Sequence, residues 1–526
     1  KYKGEFEERL KADPAITHVM VVHCETSTGI LNPIEAISAL CKRMGKGLLI
    51  DAVASFGAFM LDARALVFDA AGACLVAAER LITTRQPHPG WVEHDADEIV
   101  ASLEAAIDEA VSRAGLSAAD FAAAGLACQR SSVVCWDRES GAALSPVLSW
   151  QDRRNAAWLA ARPLDPRQVH ALTGLVVSPH YGASKLRWCL DQLPAVQAAN
   201  SAGRLCCGPL ASFLLHRPLV ERPVLADPAN AARTLLWDLR ALDWSQALLE
   251  AFELPRGCLP ACVPNRWDYG HLALRGGAVP LRVATGDQPA ALFAGGRPDP
   301  RMLYANLGTG AFVQRVFAGT PPDVPGLLRG FAWVDGTDRL SVLEGTVNGA
   351  GAALAWLAEQ RGVPVEQLAA GAERWLGEIR DPPLFCNGVG GLGSPWWRAD
   401  CPVSFSAPAG LEAETVAVLE SIVFLLQRNI ESLLAAPGAP PQRICVSGGL
   451  AQLDGLCQRL ADLSGLEVCR PESTEATATG LAWLLGARAG ARAAARSFRP
   501  EANPALGGRC RQALDYTSTL SRPPRT

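Results

Sequence analysis

Short apolar runs alternate with longer amphipathic stretches along most of this chain. From residue 65 onward, β-rich runs at 65–68, 123–127 and 133–136 alternate with helical spacing such as that of 97–113. The second half repeats the theme. Runs at 281–284, 303–306 and 444–446 predict strands, and 349–359, 412–434 and 455–464 predict helices. This alternation is an α/β pattern. A turn-rich Gly295-Gly296-Arg297-Pro298 marks a boundary within it. The opening segment forms a unit of its own. Residues 17–33 read as a strand, a polar loop and a turn, and 33–47 as a helix with proline at its start and glycine at its end. Residues 48–58 read as a second buried strand carrying Asp51. The Ala/Arg-rich tail from 487 reads as frayed.

Two strand ends carry candidate chemistry. Gly286-Asp287-Gln288 places a lone carboxylate after the apolar run 281–284, and Gly308-Thr309-Gly310 places a glycine-flanked hydroxyl after 303–306. A phosphoryl transferase needs both. The carboxylate is a base for an acceptor hydroxyl. Bare backbone lets N–H groups crowd a terminal phosphate, and threonine adds a hydroxyl donor. Either motif alone is more often a surface aspartate or an ordinary turn.

Composition narrows the classes. At 526 residues the chain exceeds one core and should divide into two or three domains. Its 49% hydrophobic and 19% charged content is that of a globular enzyme. A net charge of −4 gives no footprint for nucleic acid or anionic membrane. No run approaches the ~18 apolar residues of a membrane span, and no signal-peptide core is present, so the expected location is cytoplasmic. The sixteen cysteines are scattered, which fits reduced thiols. Cys258-x-x-x-Cys262 lacks a second ligand pair for zinc, and Cys206-Cys207 read as small hydrophobes.

Further segments continue the two motifs: GDQPAALF (286–293), NLGTGAF (306–312), GGLGSPWW (390–397), VLESIVF (418–424) and SGGLAQ (447–452). Upstream lie GWVEHDADEI (90–99), CQRSSVVCWDRESG (128–141), SWQDRR (149–154) and TGLVVSPHYGASKLRW (173–188). In this order they resemble the FGGY carbohydrate kinases, glycerol kinases in particular, over residues 61–499. The resemblance implies a two-domain actin-like ATPase (ribonuclease H-like) fold around a nucleotide cleft. It implies ATP and Mg²⁺, a small sugar or polyol as acceptor, and possible assembly into a homo-oligomer.

Roles carry over residue by residue. Asp287 matches the family's general base, and Asp62, if it is the family's first aspartate, would join Asp287 at Mg²⁺. Gly308, Thr309 and Gly310 would face the γ-phosphate, Gly351 the other phosphates through helix N-terminal amides, and Gly448 and Gly449 the adenosine. Gln129, Arg130, His180, Gln288 and Phe312 would join Asp287 around the acceptor. Three positions depart from glycerol kinases. Ser131 replaces a glutamate, His180 a tyrosine and Leu453 an asparagine, which points away from glycerol as the preferred acceptor.

The chain also carries a seam. Lys1, Lys3, Lys11, Lys42 and Lys46 precede it, and Lys185 is the one lysine beyond it. The chain starts without methionine, which reads as a start that is not native. Residues 1–58 resemble a slice of 2-aminoethylphosphonate–pyruvate transaminase, with Asp51 at the pyridinium-nitrogen position of that PLP enzyme. No lysine follows for a Schiff base except Lys185, inside a kinase motif, so the slice is expected to be idle. The kinase body is expected at 59–296 and 297–500, with a tail at 501–526. At the seam FMLD (59–62) runs through Ala63 directly into Arg64, and the family's Asp-x-Gly-Thr loop is absent. Two outcomes follow from that loss. One is an impaired remnant that binds nucleotide or sugar without turnover. The other is a substitute strand, with LLID (48–51) in place of the lost one.

Overall fold

The computed structural model describes residues 18–22, 47–51, 61–471, 475–488 and 495–520. The expected helix at 33–47 and the end of the expected strand at 48–58 lie outside them. In the opening segment β1 (His18–Val22) and β2 (Gly47–Asp51) pair in parallel, from His18↔Gly47 to Val22↔Asp51. Neither is hydrogen-bonded to another sheet among the described residues. In this structure LLID therefore does not stand in for the lost first strand.

Beyond the seam the chain opens with a hairpin of β3 (Leu61–Phe68) and β4 (Cys74–Ile82). Helix α1 (Ala96–Ala114) packs on it. Its start is fixed by Asp95, whose carboxylate accepts from the amides of Asp97 and Glu98 at 3.0 and 3.1 Å, and it stops at Gly115 with φ of 67°. Next come β5 (Ala124–Cys128), β6 (Val133–Asp137), helix α2 (Gly182–Gln192) and β7 (Leu205–Pro209), which pairs antiparallel with β6. Strand β8 (Gly277–Gly286) runs parallel to β5, so that Gly286 lies opposite Cys128. Its last residues are buried on both faces, as a central parallel strand requires. Helix α3 (Asp287–Leu292) starts where it ends.

The second half is built on a seven-stranded sheet. It is formed by β9 (Met302–Leu307), β10 (Ala311–Ala318), β11 (Leu328–Asp335), β12 (Asp338–Val347), β13 (Arg443–Ser447), β14 (Glu467–Pro471) and β15 (Ala495–Phe498). Their order is β11-β12-β10-β9-β13-β14-β15. Alternation along β9 buries Leu303, Ala305 and Leu307. Helix α4 (Gly351–Arg361) and helix α5 (Leu411–Leu434) cover the sheet. α5 is apolar nearly all round and correspondingly buried, with Val416, Leu419, Ile422, Leu426 and Ile430 sealed from solvent. Arg315 of β10 closes its far end, donating to the carbonyls of Leu433, Ala436, Pro437 and Ala439 at 2.7–3.2 Å.

Helix α6 (Ala476–Leu484) packs on α3 and β5. Residues expected as a frayed tail instead form α7 (Pro504–Leu520), with Leu506, Cys510 and Ala513 buried against Phe424 of α5. The composition that suggested fraying hid an apolar stripe. Cys206 and Cys207 are buried strand residues, as read from sequence. Among the described residues no helix is long and apolar enough to cross a membrane, and no cluster of three metal-ligating side chains occurs.

Candidate active site

Parallel pairing of β5 and β8 brings their C-terminal ends together. β5 delivers Gln129 and Arg130, and β8 delivers Gly286, Asp287 and Gln288. Gly286 is needed here because a Cβ at this position would lie 2.6 Å from Cδ of Arg130, so the arginine stem lies across the strand end. The Arg130 guanidinium donates to Oε1 of Gln288. Asp287 accepts from the Gln288 amide at 2.7 Å. Burial pushes the Asp287 carboxyl up, and Arg130 works against that shift. The side-chain amide nitrogen of Gln129 is buried without a partner among the described residues, a donor left open for a ligand.

A buried ion cluster that the sequence did not reveal joins this end to the second half. Glu344 of β12 accepts from Arg233 at 2.8 Å and from Gln314 of β10 at 2.7 Å, and lies 4.0 Å from Arg130. Burial would raise the Glu344 carboxyl, but Arg233 and Arg130 outweigh it and hold the group below its ordinary value. Arg130 is itself pushed down to about 10, first by burial and then by Arg233. Gln314 and Glu344 are cross-strand partners, as are Phe312 and Thr346 one step along the same face. Phe312 therefore belongs to the face that meets Arg130. No spacing signal marks Arg233 or Glu344, because the cluster is assembled from positions more than a hundred residues apart.

His180 packs edge-on against Trp150 with centroids 5.6 Å apart. Burial, then Lys185 and the arginines Arg233, Arg153 and Arg130, hold its imidazole well below its usual range, so the ring is neutral. Behind it the ammonium of Lys185 donates to the carbonyls of Ser131 at 3.1 Å and of Ser149 and His180 at 2.7 Å each. One buried cation thus ties three loops together. Ser131 is buried with φ of 65°.

The phosphate-loop candidates meet in the second half. Gly308-Thr309-Gly310 is the turn between β9 and β10, and the Thr309 hydroxyl has no partner among the described residues. The amides of Ala350 and Ala352 donate to the Thr309 carbonyl at 3.0 and 2.9 Å, and that of Gly351 to the Gly308 carbonyl at 2.9 Å. Gly351 thus packs directly on the Gly308-Thr309-Gly310 turn. Its amide is spent on the loop, and its missing side chain matters because a Cβ would lie 3.0 Å from the Gly308 carbonyl. Gly448 has φ of 93° and presses on Leu307, where a Cβ would fall 2.6 Å from the carbonyl oxygen. Gly449 beside it meets nothing within 4 Å, which leaves an open face at the end of β13 for a flat ligand.

Asp62 sits in the opening hairpin. It lies in β3 opposite Leu81, its carboxylate held by Nε of Arg64 at 2.8 Å, and Arg64 also reaches Glu475 at 3.1 Å. The link onward runs through α6, where the Thr477 hydroxyl donates to the Asp287 carbonyl at 3.2 Å. The Asp62 carboxylate is thus paired with Arg64 in this structure.

Comparison with known proteins decides the family. Residues 60–294 match the N-terminal domain, and 303–489 the C-terminal domain, of the FGGY family of carbohydrate kinases. A glycerol kinase of Citrifermentans bemidjiense is 36% identical over 446 residues, covering 82% of this chain and 88% of that protein. One from Bordetella parapertussis is 34% identical over 496 residues, covering 88% and 96%. The chain belongs to the FGGY family of carbohydrate kinases. Among solved structures, Plasmodium falciparum glycerol kinase with ADP superposes with a TM-score of 0.75 at 20% identity, covering 88% of this chain and 96% of that one. A xylulose kinase from Rhodospirillum rubrum gives 0.74 at 21%, covering 87% and 96%. These establish the two-domain actin-like kinase fold. Residues 4–73 match class-V aminotransferases, so this FGGY kinase carries a transaminase-like fragment at its front.

Proposed function

We propose that this FGGY kinase transfers the γ-phosphoryl group of ATP to a hydroxyl of a small sugar or polyol, with Asp287 as the base. One chain of contacts supports this reading. Asp287 stands beside Arg130 and Gln288. Glu344 links Arg130 and Arg233 to Gln314, and Gln314 lies on the strand that begins at the Gly308-Thr309-Gly310 turn. A single buried polar network thus runs from beside Asp287 to the strand that leaves the Gly308-Thr309-Gly310 turn.

In this reading Gln129, Arg130, His180, Gln288 and Phe312 orient the acceptor, and Asp287 accepts the proton of the attacking hydroxyl. The Thr309 hydroxyl and bare turn meet the transferred phosphoryl group, and Gly448 and Gly449 leave room for the adenosine. Mg²⁺ suits Asp287 together with phosphate oxygens, since this ion takes few protein carboxylates and neutralises developing charge. A neutral His180 and the small Ser131 differ from the expectation for a glycerol site, so the acceptor need not be glycerol. ADP release measured across a panel of polyols, ketoses and aldonates tests the proposal. An acceptor-dependent signal that disappears in Asp287→Asn supports it, and the same signal in both chains overturns the role of Asp287.

A further inference from the structure

The first half of the kinase body contains two free strand edges that face each other. Among the described residues β3 pairs with β4 alone, and β5 with β8 alone. Ala63, early in β3, shares an apolar cluster with Cys128 at the end of β5. Val67, late in β3, shares another with Phe121, just before β5 begins. The shared clusters therefore set the start of β3 toward the end of β5 and the end of β3 toward its beginning, so that the two strands run in opposite directions. Their Cα atoms nevertheless stay beyond 8 Å of each other almost throughout. Paired strands sit about 4.8 Å apart, so one intervening strand needs about twice that distance.

The gap is roofed on both faces. Leu126 and Cys128 face the cluster that contains Ile99 and Val100 of α1. Gly125 faces the other way, where a Cβ would lie 3.0 Å from Leu481 of α6. α6 also runs along β3, from the Arg64–Glu475 ion pair to the Arg488 amide, which donates to the Ala70 carbonyl at 3.0 Å. An occupant must therefore be apolar on both faces, and it must run antiparallel to one of the two strands and parallel to the other.

We propose that β2 is the strand this gap accepts, exchanging its place beside β1 for one between β3 and β5. Its Leu48-Leu49-Ile50 is apolar without interruption, and its five residues equal the length of β5. It precedes β3 by the nine residues 52–60, a connection that antiparallel neighbours tolerate. In the gap β2 gains a hydrogen-bond ladder on each edge, where β1 offers one. Running parallel to β5, it carries Asp51 to the edge where Gln129 and Asp287 emerge. This assigns a role to a fragment whose sequence reads as idle, and only its activity readout rests on the kinase reading.

A photo-reactive amino acid at position 49 of the full-length chain tests the exchange directly. Adducts mapped by mass spectrometry to 61–68 or 124–128 support it, and adducts confined to 18–22 overturn it. Two further full-length variants add an independent measurement. Met20→Pro disrupts β1, the partner of Leu49, and should slow amide exchange at 124–128. Leu49→Pro should leave those amides exchanging as a free edge, with loss of acceptor-dependent ADP release. Equal exchange at 124–128 in both variants overturns the proposal. If every chain is inactive while the adducts reach 124–128, strand exchange stands and the kinase reading fails.

Discussion

Replacing Glu344 with alanine leaves two guanidinium groups stranded. Arg233 loses an acceptor at 2.8 Å, Arg130 a counter-charge at 4.0 Å, and Gln314 an acceptor at 2.7 Å. The side chains of Arg130 and Arg233 are each 8% exposed and that of Glu344 7%, so water does not replace what is lost. At an effective dielectric of about 20, a unit charge pair at 4 Å is worth about 4 kcal/mol. Breaking a buried pair from one side costs about 3–5 kcal/mol. For a domain of about 200 residues each kcal/mol moves the transition by about 2–4 °C, so the melting temperature should fall by about 6–20 °C. Glu344→Gln keeps the volume and one acceptor and should fall between parent and Glu344→Ala. Adding Arg233→Met to Glu344→Ala removes one stranded charge and should recover part of the loss. Scanning calorimetry at neutral pH reads all four chains. The sign with pH is fixed by the depressed Glu344 pKa. Its contribution is full above the ordinary value of 4.5 and is lost as pH falls through the lower folded value, so the parent–variant difference should shrink in acid. A Glu344→Ala chain that melts within about 2 °C of the parent at neutral pH would refute the argument.

Asp287→Asn retains shape without a proton acceptor, and steady-state turnover should drop by ~10²–10⁴. Because burial raises the Asp287 pKa, the acid limb of the parent's kcat/KM profile should lie above the 3.8 of a free aspartate. Lys185→Met orphans three buried carbonyls and should lower stability by about 3 kcal/mol or more, read as a shifted urea midpoint. Gly448→Ala combines a strained φ with a clash against Leu307, so a loss of about 1–3 kcal/mol is expected together with weaker nucleotide affinity by calorimetric titration. Added PLP should give no internal-aldimine absorption band. A band abolished by changing one specific lysine would show that the front fragment does hold the cofactor.

Much of this was legible in the chain. Apolar runs at 281–284 and 303–306 became β8 and β9, and the glycine-flanked residues after them ended where a parallel strand and a tight turn place them. Helices expected at 97–113 and 412–434 agree with α1 and α5 to within a residue or two, because caps and sustained apolar periodicity are local signals. Arg233 and Glu344 were not legible. Each is a charge in an apolar neighbourhood whose partner lies 111 residues away, and no window along the sequence contains both. The pairing of Asp62 with Arg64, two residues later, was not read from the sequence either. The tail deceived through composition, since alanine- and arginine-rich stretches also make good surface helices once one stripe finds a partner, as α7 finds Phe424.

The isolation of Lys185 makes this chain its own reporter. Beyond residue 46 it is the one amine on a side chain, and its ammonium is enclosed by three carbonyls at 1% exposure. An amine-directed label applied briefly to the native protein should therefore mark the front fragment and leave the kinase body blank. Any label that later appears at Lys185 counts the moments when the loops around Ser131, Ser149 and His180 come apart. These three loops thus carry a built-in clock for their own opening, read by mass without adding a probe.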